Sequence, residues 1–328
     1  MSHIASDFHN KTILITGSAG FIGFHTAKRL LESGDKVIGA DSFNDYYEVE
    51  LKEARNKILE QYAAFKLYRG DLSDETFVAK IFSENKIDQI IHLAAQAGVR
   101  YSLVNPGAYI KANIAAFVNI LEAARHNGIK DFVYASSSSV YGNNKKTPFS
   151  VEDPVNEPIS LYAATKKADE LIAYTYHHLF GINTTGLRFF TVIGPYGRPD
   201  MAIMLFADAI VKSKPIKVFN FGKMRRDFTY IDDIVDGIIL ALEKVGSYQI
   251  FNLGNNKPVE LEYLITCLEK EFGRKAIKEY LDIQPGDVTE TYADIDKTIK
   301  ELAWEPKTSI EEAVHKFAEW HKAFYKMP

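Results

Sequence analysis

The chain has 328 residues, of which 46% are hydrophobic and 25% are charged. This composition is typical of a soluble globular protein, and the length is sufficient for two unequal lobes with apolar cores. A net charge of -4 gives no basic field that would attract nucleic acid, so that class of partner is excluded. The single cysteine, Cys267, allows neither an intrachain disulfide nor a thiolate metal cluster, and its apolar helical surroundings indicate a core position.

The N-terminal segment, residues 1–10, is polar and contains His3, Asp7 and His9. It lacks the basic start and the apolar run of a signal peptide. No stretch of the chain approaches the roughly 20 apolar residues that a membrane-spanning helix requires. We therefore expect a cytoplasmic protein with no membrane partner and no bound metal.

Short β-branched runs alternate with amphipathic helical stretches from residue 11 onward. The predicted strands are 12–16, 36–41, 65–68, 89–93, 132–136 and 184–189. The predicted helices are 21–33, 74–85, 108–126 and 162–180. This alternation predicts an α/β fold with a parallel sheet covered on both faces, and right-handed crossovers would order it into a doubly wound, Rossmann-type sheet.

The regular alternation weakens after Phe190, where several glycines and prolines interrupt the chain. A helix at 232–245 and a strand at 250–253 are then expected to return to the sheet. We therefore predict a Rossmann-type domain formed by residues 9–190 with about 229–255. Residues 191–228 and 256–328 would form a smaller, C-terminal α/β substrate lobe.

A glycine triplet follows the first predicted strand and opens the first predicted helix, in the order Gly17, Gly20, Phe21, Ile22 and Gly23. Gly17 would make a tight turn, Gly20 would let the backbone approach a pyrophosphate, and Gly23 would allow close packing of helix on strand. Phosphates would then bind N–H groups at the positive end of the helix dipole. An ordinary strand-to-helix turn would show the same triplet, so further residues are needed.

Asp41 supplies one of them, because it ends the second strand where an acidic side chain can accept the hydroxyls of an adenine ribose. Its negative charge would repel a 2′-phosphate, which favours NAD over NADP. A solvated aspartate at a strand end remains the alternative. Further residues at strand ends are predicted to line the cofactor, although plain loops would also fit them: Asp71, Leu72, Leu93, Ala94 and Ala95.

Tyr162 and Lys166 lie four residues apart at a predicted helix start, which puts both side chains on one face. A neighbouring ammonium favours a phenolate, so Tyr162 could act as general base toward a substrate hydroxyl. A serine run, 136–139, follows the fifth strand, and one of its hydroxyls could bind the same oxygen. Together with the glycine loop, these residues indicate a dehydrogenase-type catalytic site.

At this point the sequence resembles the extended short-chain dehydrogenase/reductase family, from residue 11 to about 325. The resemblance implies that Ser137, three residues before Val140-Tyr141-Gly142, is the third catalytic residue, and that Lys166 also holds the nicotinamide ribose. It further implies a homodimer in which the helices at 108–126 and 162–180 pair across the subunits.

The family's reactions differ in the residues beside the catalytic serine or threonine. Dehydrating members carry an Asp-Glu pair directly after it, and decarboxylating members carry a glutamate just before Val-Tyr-Gly. Ser138 and Ser139 occupy those positions here and have no carboxyl group. The resemblance therefore favours oxidation followed by re-reduction, which is 4-epimerase chemistry, over elimination.

Four longer stretches, 98–102, 188–195, 197–202 and 222–230, look like those of UDP-glucuronate 4-epimerases. UDP-glucose and UDP-N-acetylhexosamine epimerases usually have asparagine where Thr191 stands, and Thr191 with Arg198 would suit a carboxylate. Arg198 in solvent, and Arg226 merely paired with Asp227, remain the alternatives. The resemblance assigns a UDP-sugar to the following residues: Ser138, Ser139, Thr191, Arg198, Arg226, Gln284, Asp287 and Arg100.

Other functions stay open at this point. The first is a 4-epimerase of UDP-glucose or UDP-N-acetylglucosamine, and the second is a decarboxylase or dehydratase. A non-catalytic NAD-sensing protein is the rival outside enzymes, since fold alone does not fix function. Such proteins typically lack the tyrosine or the lysine, whereas this chain retains Tyr162, Lys166 and Ser137.

Overall fold

A seven-stranded parallel sheet forms the centre of the protein in this computed structural model, which describes residues 10–283 and 289–326. Fourteen strands occur within those ranges: β1 Thr12–Thr16, β2 Lys36–Asp41, β3 Phe65–Arg69, β4 Gln89–His92, β5 Asp131–Ser137, β6 Asn183–Phe189, β7 Thr191–Ile193, β8 Pro215–Phe219, β9 Arg225–Arg226, β10 Phe228–Tyr230, β11 Gln249–Leu253, β12 Val259–Glu260, β13 Ile277–Leu281 and β14 Glu290–Thr291. The six strands predicted before residue 190 are all present, with ends that differ by one residue at most.

Helices connect these strands: α1 Phe21–Glu32, α2 Val49–Leu59, α3 Glu75–Glu84, α4 Pro106–Tyr109, α5 Ala116–His126, α6 Leu161–Phe180, α7 Ala202–Val211, α8 Ile231–Glu243, α9 Leu261–Phe272, α10 Asp296–Leu302 and α11 Ile310–Phe324. The predicted helix 108–126 is divided, because a π-helical turn at Ile110–Ala115 separates α4 from α5. Sequence analysis missed α2, whose polar residues weaken its apolar stripe. In the described part of the chain, no helix combines the length and apolarity needed to cross a bilayer.

The strand order is β11-β6-β5-β4-β1-β2-β3, and every pairing is parallel. The chain thus reverses its direction of winding between β1 and β4. Alternate residues of β1 enter separate cores, with Ile13 and Ile15 on one face and Leu14 on the other. The predicted Rossmann-type doubly wound sheet is therefore confirmed. The carboxyl ends of the strands open a crevice at the switch point, which is where such sheets bind ligands.

The segments after residue 190 build smaller sheets beside this edge. β9 lies between β12 and β14, β7 pairs with β10, and β8 pairs with β13. Trp304 is buried beneath α8 and donates from Nε1 to the carbonyl of Asp233 at 2.7 Å. As predicted, the strand near 250 returns to the large sheet, where β11 pairs with β6.

Candidate active site

One cleft of about 720 Å³ runs across the carboxyl ends of the parallel strands and continues toward the small sheets. All of the predicted site residues within the described ranges line it: Gly17, Gly20, Phe21, Ile22, Gly23, Asp41, Asp71, Leu72, Leu93, Ala94, Ala95, Arg100, Ser137, Ser138, Ser139, Tyr162, Lys166, Thr191, Arg198 and Arg226. Gln284 and Asp287, predicted near the nucleotide, lie outside the described residues. The chain therefore brings its glycine loop, its Tyr-Lys pair and its arginines to a single cleft.

The glycine loop closes one end of this cleft by direct contact between backbones. Gly17 has a φ of +71°, and a Cβ there would lie 2.9 Å from the Ala94 nitrogen. A Cβ on Gly23 would overlap the carbonyl oxygen of Gly17. Helix α1 then begins at Phe21 with no side-chain cap and no acidic residue in its first turn. Its positive end remains available to an anion, so the loop fits a dinucleotide pyrophosphate.

Asp41 anchors the neighbouring loop. Its carboxylate accepts the backbone N–H groups of Ala19 at 3.1 Å and Phe43 at 2.8 Å, and it is 9% exposed. A carboxylate has further lone pairs, so Asp41 can still accept the ribose hydroxyls of NAD. The same negative charge disfavours the extra phosphate of NADP.

Asp71 is bound to protein groups at the cleft edge, because it pairs with Lys111 at 2.8 Å and accepts from the Ser73 amide at 2.9 Å. Burial opposes ionisation of Asp71, but its hydrogen bonds with Lys111 and Ser73 outweigh burial and lower its pKa. The carboxyl group is therefore ionised and acts as an acceptor, which is consistent with a contact to the adenine amino group of NAD.

The Tyr-Lys pair lies on the first turns of α6, where the Ser160 hydroxyl caps the helix by accepting from the Ala163 amide at 3.1 Å. Tyr162 contacts the ring of Tyr109 edge-to-face, with 6.1 Å between centroids. Lys166 is 2% exposed, and its Nζ donates to the Ala135 carbonyl at 2.9 Å and to Asp169 at 3.1 Å. The helix start therefore holds both side chains at the cleft wall with the lysine fixed against β5.

Ser137 ends β5 and caps the 3₁₀ turn Ser138–Tyr141. Its Oγ accepts the Ser139 amide at 3.1 Å and lies 3.1 Å from the Ser139 hydroxyl. The single O–H of Ser137 donates to Ser139 here, and rotation about the Cβ–Oγ bond would redirect it to a substrate oxygen. The serine run thus presents several hydroxyls to the cleft and no carboxylate.

The sugar-binding candidates in the cleft are Thr191, at the start of β7, and Arg198, in the following loop. Arg198 is not a solvated arginine, because its guanidinium makes a bidentate contact with Asp200, at 3.0 and 2.5 Å. Burial acts to lower the pKa of Arg198, but Asp200 outweighs it and raises the pKa. Tyr46 donates to the same Asp200 carboxylate at 3.1 Å, which ties the loop after β2 to the loop of Arg198.

Arg226 reaches the cleft from β9, where its Nη1 donates to the carbonyls of Arg225 at 3.0 Å and Thr289 at 3.3 Å. Asp227 is directed elsewhere: its carboxylate accepts backbone amides, including those of Asn255 at 2.5 Å and Ala293 at 2.9 Å. Arg226 is therefore placed to meet a diphosphate from the small-sheet side of the cleft.

Arg55 is a residue that sequence analysis missed. It lies on α2, is fully buried, and donates to the carbonyls of Ala19 at 2.9 Å and Tyr196 at 2.7 Å. The Nη2 atom that contacts Tyr196 also lies 3.4 Å from the carbonyl oxygen of Gly197. One guanidinium therefore joins the glycine loop to the loop that carries Arg198. The sequence signal for this role would have been an arginine on the apolar side of α2, but α2 itself was not predicted.

Asn113 was also missed, because the π-helical turn that directs it inward has no recognisable pattern. Its side chain accepts from the Gln96 amide at 2.7 Å and donates to the Thr165 hydroxyl at 2.9 Å. Thr165 in turn donates to the carbonyl of Tyr162 at 2.8 Å. Asn113 thus connects the loop after β4 with the turn of helix that carries Tyr162.

Known proteins share this arrangement. Residues 13–254 match the model of the NAD dependent epimerase/dehydratase family. UDP-glucuronate 4-epimerase 4 of Arabidopsis thaliana is 46% identical over 96% of this chain and 76% of its own. The UDP-glucuronic acid 4-epimerase of Bacillus cereus, solved with UDP-glucuronic acid and NAD, superposes with a TM-score of 0.90 at 36% identity, covering 96% of this chain and 100% of that chain. A UDP-glucose 4-epimerase of Thermotoga maritima, solved with UDP-glucose, gives a TM-score of 0.87 at 32% identity, over 96% and 99% of the two chains.

Proposed function

This chain belongs to the NAD dependent epimerase/dehydratase family, and on that premise we propose that it interconverts UDP-glucuronate and UDP-galacturonate by inverting C4. The predicted family and the predicted enzyme class, an NAD-dependent UDP-sugar 4-epimerase, are both confirmed by the relatives. NAD as the cofactor is confirmed as well. The preference for a uronate is the finer part of the proposal.

The observation that carries this preference is the set of groups at the sugar end of the cleft. Arg198 supplies a guanidinium, while Thr191 and Ser139 supply hydroxyls. All three residues line the same cleft. A carboxylate is suited to a planar fork of donors together with neutral hydrogen-bonding groups. Arg198 already pairs with Asp200 through Nε and Nη2, so in this proposal its remaining N–H donors would bind the carboxylate.

Within this proposal, Tyr162 as phenolate takes the proton of the C4 hydroxyl, and Ser137 donates a hydrogen bond to the same oxygen. Lys166 holds its positive charge beside them and binds the nicotinamide ribose. Bound NAD supplies the hydride acceptor and donor, and the glycine loop with Asp41 holds it through successive turnovers. The 4-keto sugar rotates in the cleft before it is reduced on the other face.

A second task follows from the chemistry of a uronic acid. Its 4-keto form is a β-keto acid, which loses carbon dioxide when the bond from C5 to the carboxyl carbon aligns with the carbonyl π system. Arg198, Thr191 and Ser139 would hold the carboxylate away from this alignment. The intermediate would thereby survive until reduction returns it to a stable sugar.

The nucleotide end of the proposal uses Arg226 for the diphosphate, Arg100 at the cleft rim, and Gln284 and Asp287 near the ribose and phosphates. We propose the same domain division as from the sequence, with residues 9–190 and about 229–255 binding NAD. Residues 191–228 and 256–328 would bind the UDP-sugar. This division is supported by the return of β11 to the large sheet.

A homodimer is part of the same proposal. Helix α6 exposes Leu171, Tyr174 and Leu179, which are 52 to 61% accessible, and the π-helical turn beside it exposes Ile110 at 50%. Exposed large apolar side chains on neighbouring helical segments support an interface between copies of the chain. Light scattering should give twice the mass of one chain, whereas the mass of one chain would contradict this part.

The substrate panel tests the proposed function. UDP-glucuronate, UDP-glucose and UDP-N-acetylglucosamine are each incubated with the enzyme without added NAD, and the epimers are resolved by chromatography. We expect conversion of UDP-glucuronate to exceed that of the neutral sugars. Conversion of the neutral sugars alone would replace the proposal with its alternative, to which the likeness of the Thermotoga maritima enzyme gives structural support.

Arg198→Ala tests the second task. The variant incubated with UDP-glucuronate should release a UDP-pentose by decarboxylation, because the carboxylate is no longer held. Arg274→Ala is the matched control, since Arg274 lies in the substrate lobe, where it donates to the Val211 carbonyl away from the cleft. If the Arg198 variant forms only epimers, this role of the arginine is wrong.

A further inference from the structure

A buried carboxylate lies one helical turn beyond the lysine of the active site. Asp169 is 0% exposed, and its Oδ2 accepts from the Lys166 ammonium at 3.1 Å. Its Oδ1 is also buried and has no hydrogen-bond partner among the described residues. The proposed mechanism uses Lys166 but gives Asp169 no task. Burying an ionised carboxylate is costly, so its position requires an explanation.

The hydrogen bonds of Lys166 supply the first part of that explanation. An ammonium has three N–H donors. One is directed to the Ala135 carbonyl on β5 and a second to Asp169 on the same helix as the lysine. With these two donors used, one N–H remains available on a lysine that lines the cleft. Asp169 therefore acts as one of two anchors that orient the lysine.

The surrounding charges supply the second part. On α6 itself, Glu170 is bound in a buried bidentate pair by Arg188 of β6, at 2.8 and 2.9 Å, so those two charges compensate each other. Lys167 also contacts Glu170, at 3.3 Å. The counter-ion in contact with Lys166 is thus Asp169.

The aromatic and imidazole groups nearby carry no charge near neutral pH. Burial, together with the smaller effect of the Lys166 charge, lowers the pKa of His92 on β4 to about 3, so this imidazole is neutral. Burial raises the pKa of Tyr134 on β5 well above its ordinary value. Burial likewise raises the pKa of Tyr109, which faces Tyr162 from α4. None of these groups replaces the negative charge of Asp169.

We propose that Asp169 is a positioning residue that orients Lys166 and sets the pH range over which the lysine supports Tyr162 as a base. This inference rests on the proposed roles of Tyr162 and Lys166. The Asp169 anion is the counter-ion in contact with the buried Lys166 ammonium, at 3.1 Å, so its charge acts directly on the Tyr-Lys pair.

Asp169 itself should change charge within the pH range of the assay, which defines where a variant should differ from the unaltered enzyme. Burial raises its pKa to about 6, and the neighbouring Lys166 opposes that rise. Below about pH 6 the carboxyl group becomes neutral in the unaltered enzyme. A variant without this charge should therefore differ from the unaltered enzyme above that pH and approach it below.

The test is the pH dependence of kcat and kcat/KM for Asp169→Asn, which keeps the shape and the acceptor while removing the charge. It is measured with whichever UDP-sugar the unaltered enzyme converts. Both limbs of the profile should move to lower pH, by about one unit. Both limbs move in the same direction because removal of a negative charge favours the deprotonated form of whatever groups titrate around it.

Three further variants complete the design. Asp169→Ala should show the same displacement with a lower kcat, because it also removes the anchor. Asp169→Glu retains the charge and should restore both limbs toward their original positions. Asp35→Asn removes a carboxylate that is 1% exposed and lies just before the amino end of β2. This substitution should leave the pH profile unchanged.

A lower kcat with both limbs unchanged in Asp169→Asn and Asp169→Ala would overturn the inference and leave Asp169 a packing residue. Movement of the limbs to higher pH would overturn it too. Failure of the proposed function would be distinguishable, because it would be seen in the unaltered enzyme as conversion of neutral sugars alone.

Discussion

The two ends of the cleft are constructed in different ways. At the cofactor end, the glycine loop and the Leu93–Ala95 segment follow neighbouring parallel strands, and backbone meets backbone. At the sugar end, Thr191 lies on a short strand, and Arg198 lies in a loop where a side-chain pair with Asp200 holds it. The cofactor end is therefore set by the fold, whereas the sugar end is set by a few polar contacts. Substitutions at the first should affect NAD retention and stability, and substitutions at the second should affect selectivity.

Tyr162 lies where the two ends meet, and its loss should have the largest effect. Tyr162→Phe removes the proposed general base and should lower kcat by about 10² or more. NAD content after purification should stay the same, because the glycine loop is untouched. Tyr263→Phe is the control, since that hydroxyl lies on α9 and contacts Glu311. Near-normal turnover of the Tyr162 variant would exclude it as the base.

Gly17→Ala tests the cofactor end. Its φ of +71° and the contact 2.9 Å from the Ala94 nitrogen both oppose a side chain. The free energy of unfolding should fall by about 1–3 kcal/mol from strain alone, and bound NAD should be lost on purification. Gly128→Ala has a nearly equal φ of +70° with nothing within 4 Å, so it isolates the backbone strain. Equal effects of the two substitutions would contradict the close-approach argument.

Arg55→Lys tests the connection between the two ends. A single ammonium cannot reach the carbonyls of both Ala19 and Tyr196, so the loop that carries Arg198 should loosen. The KM for UDP-glucuronate should rise about tenfold, the scale of one lost hydrogen bond to a charged group, while any KM for UDP-glucose changes little. Steady-state kinetics with both sugars measures this. Equal rises for both would show that Arg55 supports the cleft as a whole.

The sheet beneath the cofactor end carries a smaller, pH-dependent effect. His92 is 1% exposed and lies 3.0 Å from the Thr16 hydroxyl. Burial, aided by Lys166, lowers its pKa from 6.5 to about 3. The folded state therefore resists protonation, and its stability is full above about pH 6.5 and declines as pH falls toward 3, by up to about 1.4 kcal/mol per pH unit.

His92→Gln removes this titration and keeps a hydrogen-bonding group opposite Thr16. Urea unfolding between about pH 6 and 4 should then show a shallower decline in the free energy of unfolding for the variant. The difference should be up to about 1.4 kcal/mol per pH unit. A decline as steep as in the unaltered protein would mean that other groups account for the acid sensitivity.

The same contrast explains what sequence could predict. The strands and the glycine loop follow from local patterns, because β-branched runs and glycines in a turn report their own backbone conformation. Tyr162 and Lys166 follow from helical spacing. Asp169 shares that helix face, three residues after Lys166, so spacing could have identified it as well.

The remaining contacts join residues that are distant in the chain, and no local pattern encodes them. Arg55 is 141 residues from Tyr196, and Tyr46 is 154 residues from Asp200. Asn113 faces inward only because a π-helical turn rotates that part of the helix. These side chains acquire their roles through tertiary packing. The sequence therefore predicts the sugar end less completely than the cofactor end.

The central claim, a C4 epimerisation that uses a retained NAD, is tested most directly with UDP-glucuronate carrying deuterium at C4 and no added NAD. The account predicts UDP-galacturonate that keeps the deuterium at C4, since the same hydride leaves and returns within one turnover. Loss of the label to solvent would contradict it, and so would the absence of any UDP-galacturonate.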